Sequence, residues 1–246
     1  MPVFTTDLVV PAYNEAENID PLFDALRPVV GDGRPIRRVV LADNRSTDGT
    51  GERAAARGAR VVREERPGYG AACLAAIAEA RRADAPDAIA FLDADLSDDP
   101  AELPALLAPL IDRSADLVIG QRLARAEPGA LEPHQRFGNW LACALIARST
   151  GRRYRDLGPM RALTVDALDR LGMADTTWGW TVEMQFKAVT RGLRVTEIDV
   201  PYRKRHAGRS KISGSIVGSY KAGTKIIGTI AQLRRSERGS SVDPRR

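Results

Sequence analysis

Short apolar runs alternate along the first half of the chain with longer stretches whose apolar residues recur at helical spacing. Leu8–Val10, Val39–Ala42, Arg60–Arg63, Ala88–Leu92 and Asp116–Ile119 read as strands. Between them, Asn14–Arg27, Thr47–Arg57, Gly70–Ala83 and Pro100–Ile111 read as helices. Strands alternating with helices make βαβ units, and so an α/β domain with a mostly parallel sheet flanked by helices. Ligands of such sheets bind at the carboxyl ends of the strands. The polar clusters stand there: Pro11-Ala12-Tyr13-Asn14-Glu15 after the first strand, Asp43-Asn44-Arg45-Ser46 after the second, and Asp93-Ala94-Asp95 after the fourth.

The second half is less regular. A long helix is expected over Pro133–Thr150, then an irregular Asp156-Leu157-Gly158-Pro159, helices at Val165–Leu171 and Thr181–Arg191, and a strand at Arg194–Val200. Ile212–Leu233 carries apolar residues near helical spacing and a basic face of Lys221, Lys225, Arg234 and Arg235. The plain alternative to an interfacial helix there is one packed on the domain with its lysines outward. The expected organisation is a domain over 1–211, this basic amphipathic helix over 212–235, and a disordered tail over 236–246.

The strongest chemical signal is Phe91-Leu92-Asp93-Ala94-Asp95. In an extended segment the side-chain period is two, so Asp93 and Asp95 leave the same face. Two carboxylates that close do not both stay ionised cheaply unless a cation sits between them. Oxygen-only ligands suit Mg²⁺ or Mn²⁺, which completes its shell with water and substrate phosphates. Taken alone the pattern is weak, because Asp-x-Asp is also turn and helix-cap chemistry, and Ser97-Asp98-Asp99-Pro100 looks like a helix N-terminus.

Charge sharpens the picture. From Tyr202 to Arg246 there are 12 Lys or Arg against Glu237 and Asp243, while the body before them is net acidic. A basic C-terminal segment suits an anionic partner: phosphate, an anionic membrane surface or nucleic acid. Cys73 and Cys143 lack metal spacing and point to a reducing, cytoplasmic setting. Residues 1–7 lack the pattern of a signal peptide, and no apolar run reaches the roughly 18 residues of a spanning helix.

The ordered set of motifs resembles the inverting family-two glycosyltransferases with a GT-A fold, and within them the dolichol-phosphate mannosyltransferase-like branch. The matching pieces are Val9–Glu15, Asp43–Thr50, Gly68-Tyr69-Gly70-Ala71-Ala72, Phe91–Pro100, Gly120-Gln121-Arg122, Asp156–Ala162, Trp180–Glu183 and Arg205–Lys211, spanning about residues 6–215. The resemblance implies a GT-A-type, Rossmann-like sheet and a metal-assisted inverting transfer from a UDP- or GDP-linked hexose. It implies donor contacts from Pro11, Tyr13, Glu15, Asp43, Gly70, Asp93, Ala94 and Arg122, with Asp43 at the base or ribose. Asp95 would ligate the metal with Asp93 beside it, and Arg205, Arg209 and Lys211 would form a basic loop over the leaving diphosphate. Asn44 stands where the family often has a second acidic residue, and Ser97 where the branch often has Gln.

Asp156 and Glu183 compete for the role of base toward an acceptor hydroxyl. The plain alternatives are a turn residue for Asp156 and a solvated helix residue for Glu183. A polyprenyl phosphate, the acceptor this branch implies, is already anionic and needs no strong base. A hydroxyl of a soluble or lipid acceptor is the second reading. His206 sits inside the basic loop, and His134 reads as surface. Peripheral attachment at the inner face of the cell membrane is expected, and a homo-oligomer is a further candidate assembly.

Three rivals are weaker. Cys73 stands where a dinucleotide fingerprint needs its third glycine, which argues against a dehydrogenase. A nucleotidyltransferase would show a glycine-rich basic loop near the N-terminus in place of Pro11–Glu15. A nucleic-acid-binding tail would interleave aromatics with its cations, and here only Tyr202 and Tyr220 do so, so no nucleic acid is expected.

Overall fold

The computed structural model describes residues 4–82, 84–208 and 228–235. Seven strands form one sheet: β1 (Thr6–Ala12), β2 (Arg38–Asp43), β3 (Arg60–Arg63), β4 (Ala88–Phe91), β5 (Leu117–Ala126), β6 (Arg161–Thr164) and β7 (Val195–Tyr202), in spatial order 3-2-1-4-6-5-7. β6 alone runs antiparallel, against both β4 and β5. Flanking the sheet are α1 (Ala16–Leu26), α2 (Thr50–Ala56), α3 (Tyr69–Arg81), α4 (Leu103–Ile111), α5 (Pro133–Thr150), α6 (Val165–Leu171) and α7 (Trp180–Thr190).

The alternation of apolar side chains along each strand fills two cores, one on each face. Val9, Ile89, Phe91, Leu117 and Ile119 pack with α3, α5, α6 and α7 on one side. Leu8, Val10, Ala88, Ala90, Leu92 and Val118 pack with α1 and α4 on the other. Trp180 and Phe186 on α7 are buried in the first core, as are Ile230 and Leu233 from a helical stretch over 228–235.

Strand order reverses between β1 and β4, the switch point where an open α/β sheet leaves a crevice at its carboxyl edge. Two elements differ from expectation. Arg161–Thr164 is a strand where the reading passed from an irregular stretch straight to a helix. β5 continues to Ala126 through Gln121, Arg122 and Arg125, with an irregularity against β7 between Gln121 and Arg125. Residues 122–126 of this strand are half-buried or exposed and include two arginines, so no apolar run marks them. Arg209, Lys211 and the tail lie outside the described residues, as does Ile212–Leu233 except for 228–235.

Candidate active site

The site begins with the three loops that leave β1, β2 and β4. Each holds a non-glycine residue at positive φ: Asn14 (52°), Arg45 (69°) and Leu96 (60°). Such backbone is sparsely populated and persists where surrounding contacts enforce it. Those contacts are visible. The Asn14 amide donates to Ser46 Oγ at 2.9 Å, Asn14 Oδ1 accepts from the Thr47 amide at 2.9 Å, and the Glu15 amide donates to Thr50 Oγ1 at 2.8 Å. Pro11 lies buried in β1 beside Ala42, and Asp43, buried at the end of β2, accepts from the Ser46 amide at 2.8 Å. Tyr13 stands half exposed at the rim.

β4 delivers the paired carboxylates, with Ala94 buried between them. Tyr69 donates its hydroxyl to Asp93 Oδ1 at 3.1 Å. Burial, and then the Asp95 charge, push the Asp93 carboxyl up to about 7. Asp95 contacts the Arg205 guanidinium at 3.1 Å, and Arg205 also forks onto Glu15 at 2.9–3.0 Å. The chain after β7 is laced to the loop after β4: Arg203 N donates to Ser97 O at 2.8 Å and His206 N to Asp95 O at 3.0 Å. Arg205 thus reaches the site from 190 residues away in sequence.

Arg122 and Asp156 meet beneath this layer. Asp156 accepts from Arg122 Nε at 2.8 Å, from Nη2 at 2.9 Å and from its backbone amide at 2.9 Å. Burial alone would raise the Asp156 carboxyl, but these bonds hold it below the usual carboxylate range. The Arg122 guanidinium lies 4.8 Å over the Tyr202 ring.

Glu183 stands apart, buried on α7. It accepts from the amides of Ala174 and Asp175 at 3.1 and 2.8 Å and from Lys187 Nζ at 2.7 Å. The loop it holds packs on the start of α3, where the Gly70 and Ala71 amides donate to the carbonyls of Thr177 and Thr176. A Cβ at Gly70 would stand 2.1 Å from the Asp175 oxygen, so glycine there serves the close approach of two backbones. Trp178, on this loop, stacks on Tyr69 with ring centroids 6.4 Å apart.

Asp98 is a residue the sequence reading passed over as helix-start chemistry. It is 1% exposed, and neither carboxylate oxygen has a hydrogen-bond partner among the described residues. Burial raises its carboxyl well above the usual range, against the pull of Arg122. No motif signal separates it from its neighbour Asp99, which caps the turn at Pro100–Glu102.

Asp93 and Asp95 are the pair that could hold a divalent cation: the Asp95 charge acts on Asp93, and Asp95 also meets Arg205. Among the described residues no group of three or more His, Cys, Asp or Glu gathers into a cage. A hard cation held by this pair would need to complete its shell with substrate phosphates and water. Among the described residues no helix is long and apolar enough to cross a membrane.

Comparison with known proteins identifies the family and the fold. Residues 7–171 match the family described as glycosyl transferase family 2. An uncharacterized glycosyltransferase of Mycobacterium tuberculosis is 37% identical over 219 residues, 86% of this chain and 91% of that protein. The undecaprenyl-phosphate mannosyltransferase of Micrococcus luteus is 31% identical over 226 residues, 85% of this chain and 88% of that protein. Among solved structures, glucosyl-3-phosphoglycerate synthase of Mycobacterium tuberculosis, in complex with Mn²⁺, UDP and phosphoglyceric acid, superposes with a TM-score of 0.74 at 24% identity. That match covers 94% of this chain and 78% of the other, and the shared architecture is the GT-A fold.

Proposed function

Because the chain belongs to glycosyl transferase family 2 and is a glycosyltransferase, we propose that it moves a sugar from a nucleoside diphosphate sugar onto a polyprenyl phosphate, with inversion. The observation that carries the choice of acceptor is the state of Asp156 and Glu183, the two carboxylates that compete for the role of base. Asp156 is fully buried and held by three bonds from Arg122, and Glu183 is buried in an ion pair with Lys187. A hydroxyl acceptor needs a carboxylate free to take its proton. A phosphate oxygen arrives already ionised. The name of the Micrococcus luteus relative supports the same acceptor.

In this reading the acceptor phosphate oxygen attacks the anomeric carbon as the bond from that carbon to the diphosphate breaks. The products are a polyprenyl phosphate sugar and a nucleoside diphosphate, and no proton has to move. Asp43 and the Pro11–Glu15 loop hold the nucleoside. A Mg²⁺ or Mn²⁺ ion on Asp93 and Asp95 would neutralise the departing diphosphate. Arg205 supplies a fork-shaped donor to the same oxygens, and Arg209 and Lys211, outside the described residues, add two positive charges close by in sequence. Arg122, oriented by Asp156, presents positive charge beside the reaction centre. The transfer takes place at the inner face of the cell membrane.

The test is transfer from UDP- and GDP-linked hexoses to a short polyprenyl phosphate and to the matching polyprenol, with Mn²⁺ or Mg²⁺ present. Product from the phosphate alone supports the reading. Product from the polyprenol at comparable rate sinks it.

A further inference from the structure

Helix α5 is apolar on two faces. Ala142, Cys143 and Ile146 point into the core, while Phe137, Trp140 and Ala144 point outward at the same helical spacing. Phe137 and Trp140 are each 62% exposed, with ring centroids 5.8 Å apart. They border a groove of about 910 Å³ that runs along the helix toward Gly151. Arg136, Arg148 and Arg153 rim that groove, exposed and without a carboxylate partner among the described residues.

Single exposed apolar residues are ordinary, but an exposed aromatic pair on an apolar groove with a cationic rim is not. Aromatic rings seated at headgroup depth, flanked by arginines, are the pattern of a protein lying on a lipid surface. A bilayer with anionic lipids matches both parts at once, the rings entering the interface and the guanidinium groups meeting phosphate. A second copy of the chain fits worse, since a two-fold contact would set one cationic rim against another.

We infer that this face of α5 docks on the surface of a bilayer containing anionic lipids. The placement fits the chemistry of the site. Leu123, next to Arg122, lines the groove, and Asn139 on α5 fixes the Asp156 loop by accepting from the Leu157 amide at 2.8 Å. The inference rests on the polyprenyl phosphate reading for its purpose, since a lipid-borne acceptor has to be met at the membrane.

Cosedimentation of the full chain with phosphatidylcholine vesicles, with and without phosphatidylglycerol, tests it. Binding is expected with phosphatidylglycerol, falling with salt, and about tenfold weaker in F137S/W140S and in R148E/R153E. Quenching of tryptophan emission by brominated lipid is expected in the wild type and lost in Trp140→Phe, which stays folded because the site is exposed. Unchanged binding by F137S/W140S overturns the inference. So does loss confined to K221E/K225E, which moves the contact to the C-terminal segment. A dimer that becomes monomeric in F137S/W140S with vesicle binding intact makes the face a contact between copies, and overturns it too. Transfer to detergent-dispersed polyprenyl phosphate reads the acceptor separately: vesicle binding without such transfer upholds the surface and overturns the acceptor.

Discussion

Asp156 closes a two-pronged ion pair on Arg122, at 2.8 and 2.9 Å, with its own side chain wholly buried and that of Arg122 13% exposed. Removing one partner of such a pair leaves the other charge without compensation. Asp156→Ala is expected to cost about 3–5 kcal/mol of stability in urea at pH 7. The pH dependence has a definite sign. The folded carboxyl sits below its unfolded value, so its stabilisation is full above about pH 4 and is lost as pH falls through the lower folded value. In Asp156→Asn that acid limb flattens. An unchanged acid limb in the variant would contradict the pairing.

Arg205 contacts Asp95 at 3.1 Å and Glu15 at 2.9 Å, so it already neutralises the carboxylate expected to hold a metal. A divalent ion arriving alone has to displace it from Asp95. With nucleoside diphosphate present, the same guanidinium gains phosphate oxygens and the competition ends. Arg205→Ala is therefore expected to bind Mn²⁺ alone several-fold more tightly, yet to show a smaller rise in melting temperature with Mn²⁺ and nucleoside diphosphate together. Asp95→Ala is expected to lose the metal-dependent part of that rise. Calorimetric titration and thermal melts read the two arms, and weaker binding of Mn²⁺ alone by Arg205→Ala would refute the competition.

How much of this was legible depends on sequence distance. Strands whose side chains alternate between two cores, such as Leu8-Val9-Val10, announce themselves by apolar composition alone, and each polar cluster follows its strand directly. The closeness of Asp93 and Asp95 was readable because they stand two residues apart in the loop just after β4. Strand β6 was not, since four residues entered from Gly158-Pro159 carry no period long enough to read. The engagement of Asp156 with Arg122, 34 residues apart, and of Arg205 with Glu15 depends on the packing of distant elements. That packing, and not residue type, makes Asp156 the partner of an arginine.

Asp98 offers a test of burial. Its carboxyl is raised by desolvation above the value it has in the unfolded chain, so the native state holds the proton more tightly. Its contribution to stability is then full below about pH 4 and is lost as pH rises through the folded value. Asp98→Asn keeps the shape and removes the titration. The variant is expected to match the wild type at acid pH and to exceed it in stability at alkaline pH. A variant less stable than the wild type across the alkaline range would mean that an ionised Asp98 is paired with Arg122 and that burial does not govern it.

Glu183 and Gly70 hold the loop over 174–177 from opposite sides, one by accepting its amides and the other by leaving room for its carbonyls. Gly70→Ala forces a Cβ against the Asp175 oxygen and is expected to cost about 1–3 kcal/mol, as overpacking does. Glu183→Gln leaves Lys187, only 8% exposed, beside a neutral group and frees one loop amide. Both variants should loosen the loop that carries Trp178, and with it the stack on Tyr69 and the hydroxyl contact to Asp93. The expected kinetic outcome is a fall in kcat of about tenfold or more, from misplacement alone, with the pH dependence of kcat/KM unchanged. A general base behaves otherwise: its removal abolishes the acid limb of that profile. If Glu183→Gln loses the acid limb while Gly70→Ala keeps it, Glu183 takes a proton and the acceptor is a hydroxyl. If both keep it, the carboxylate acts by position, as an acceptor that arrives already ionised requires.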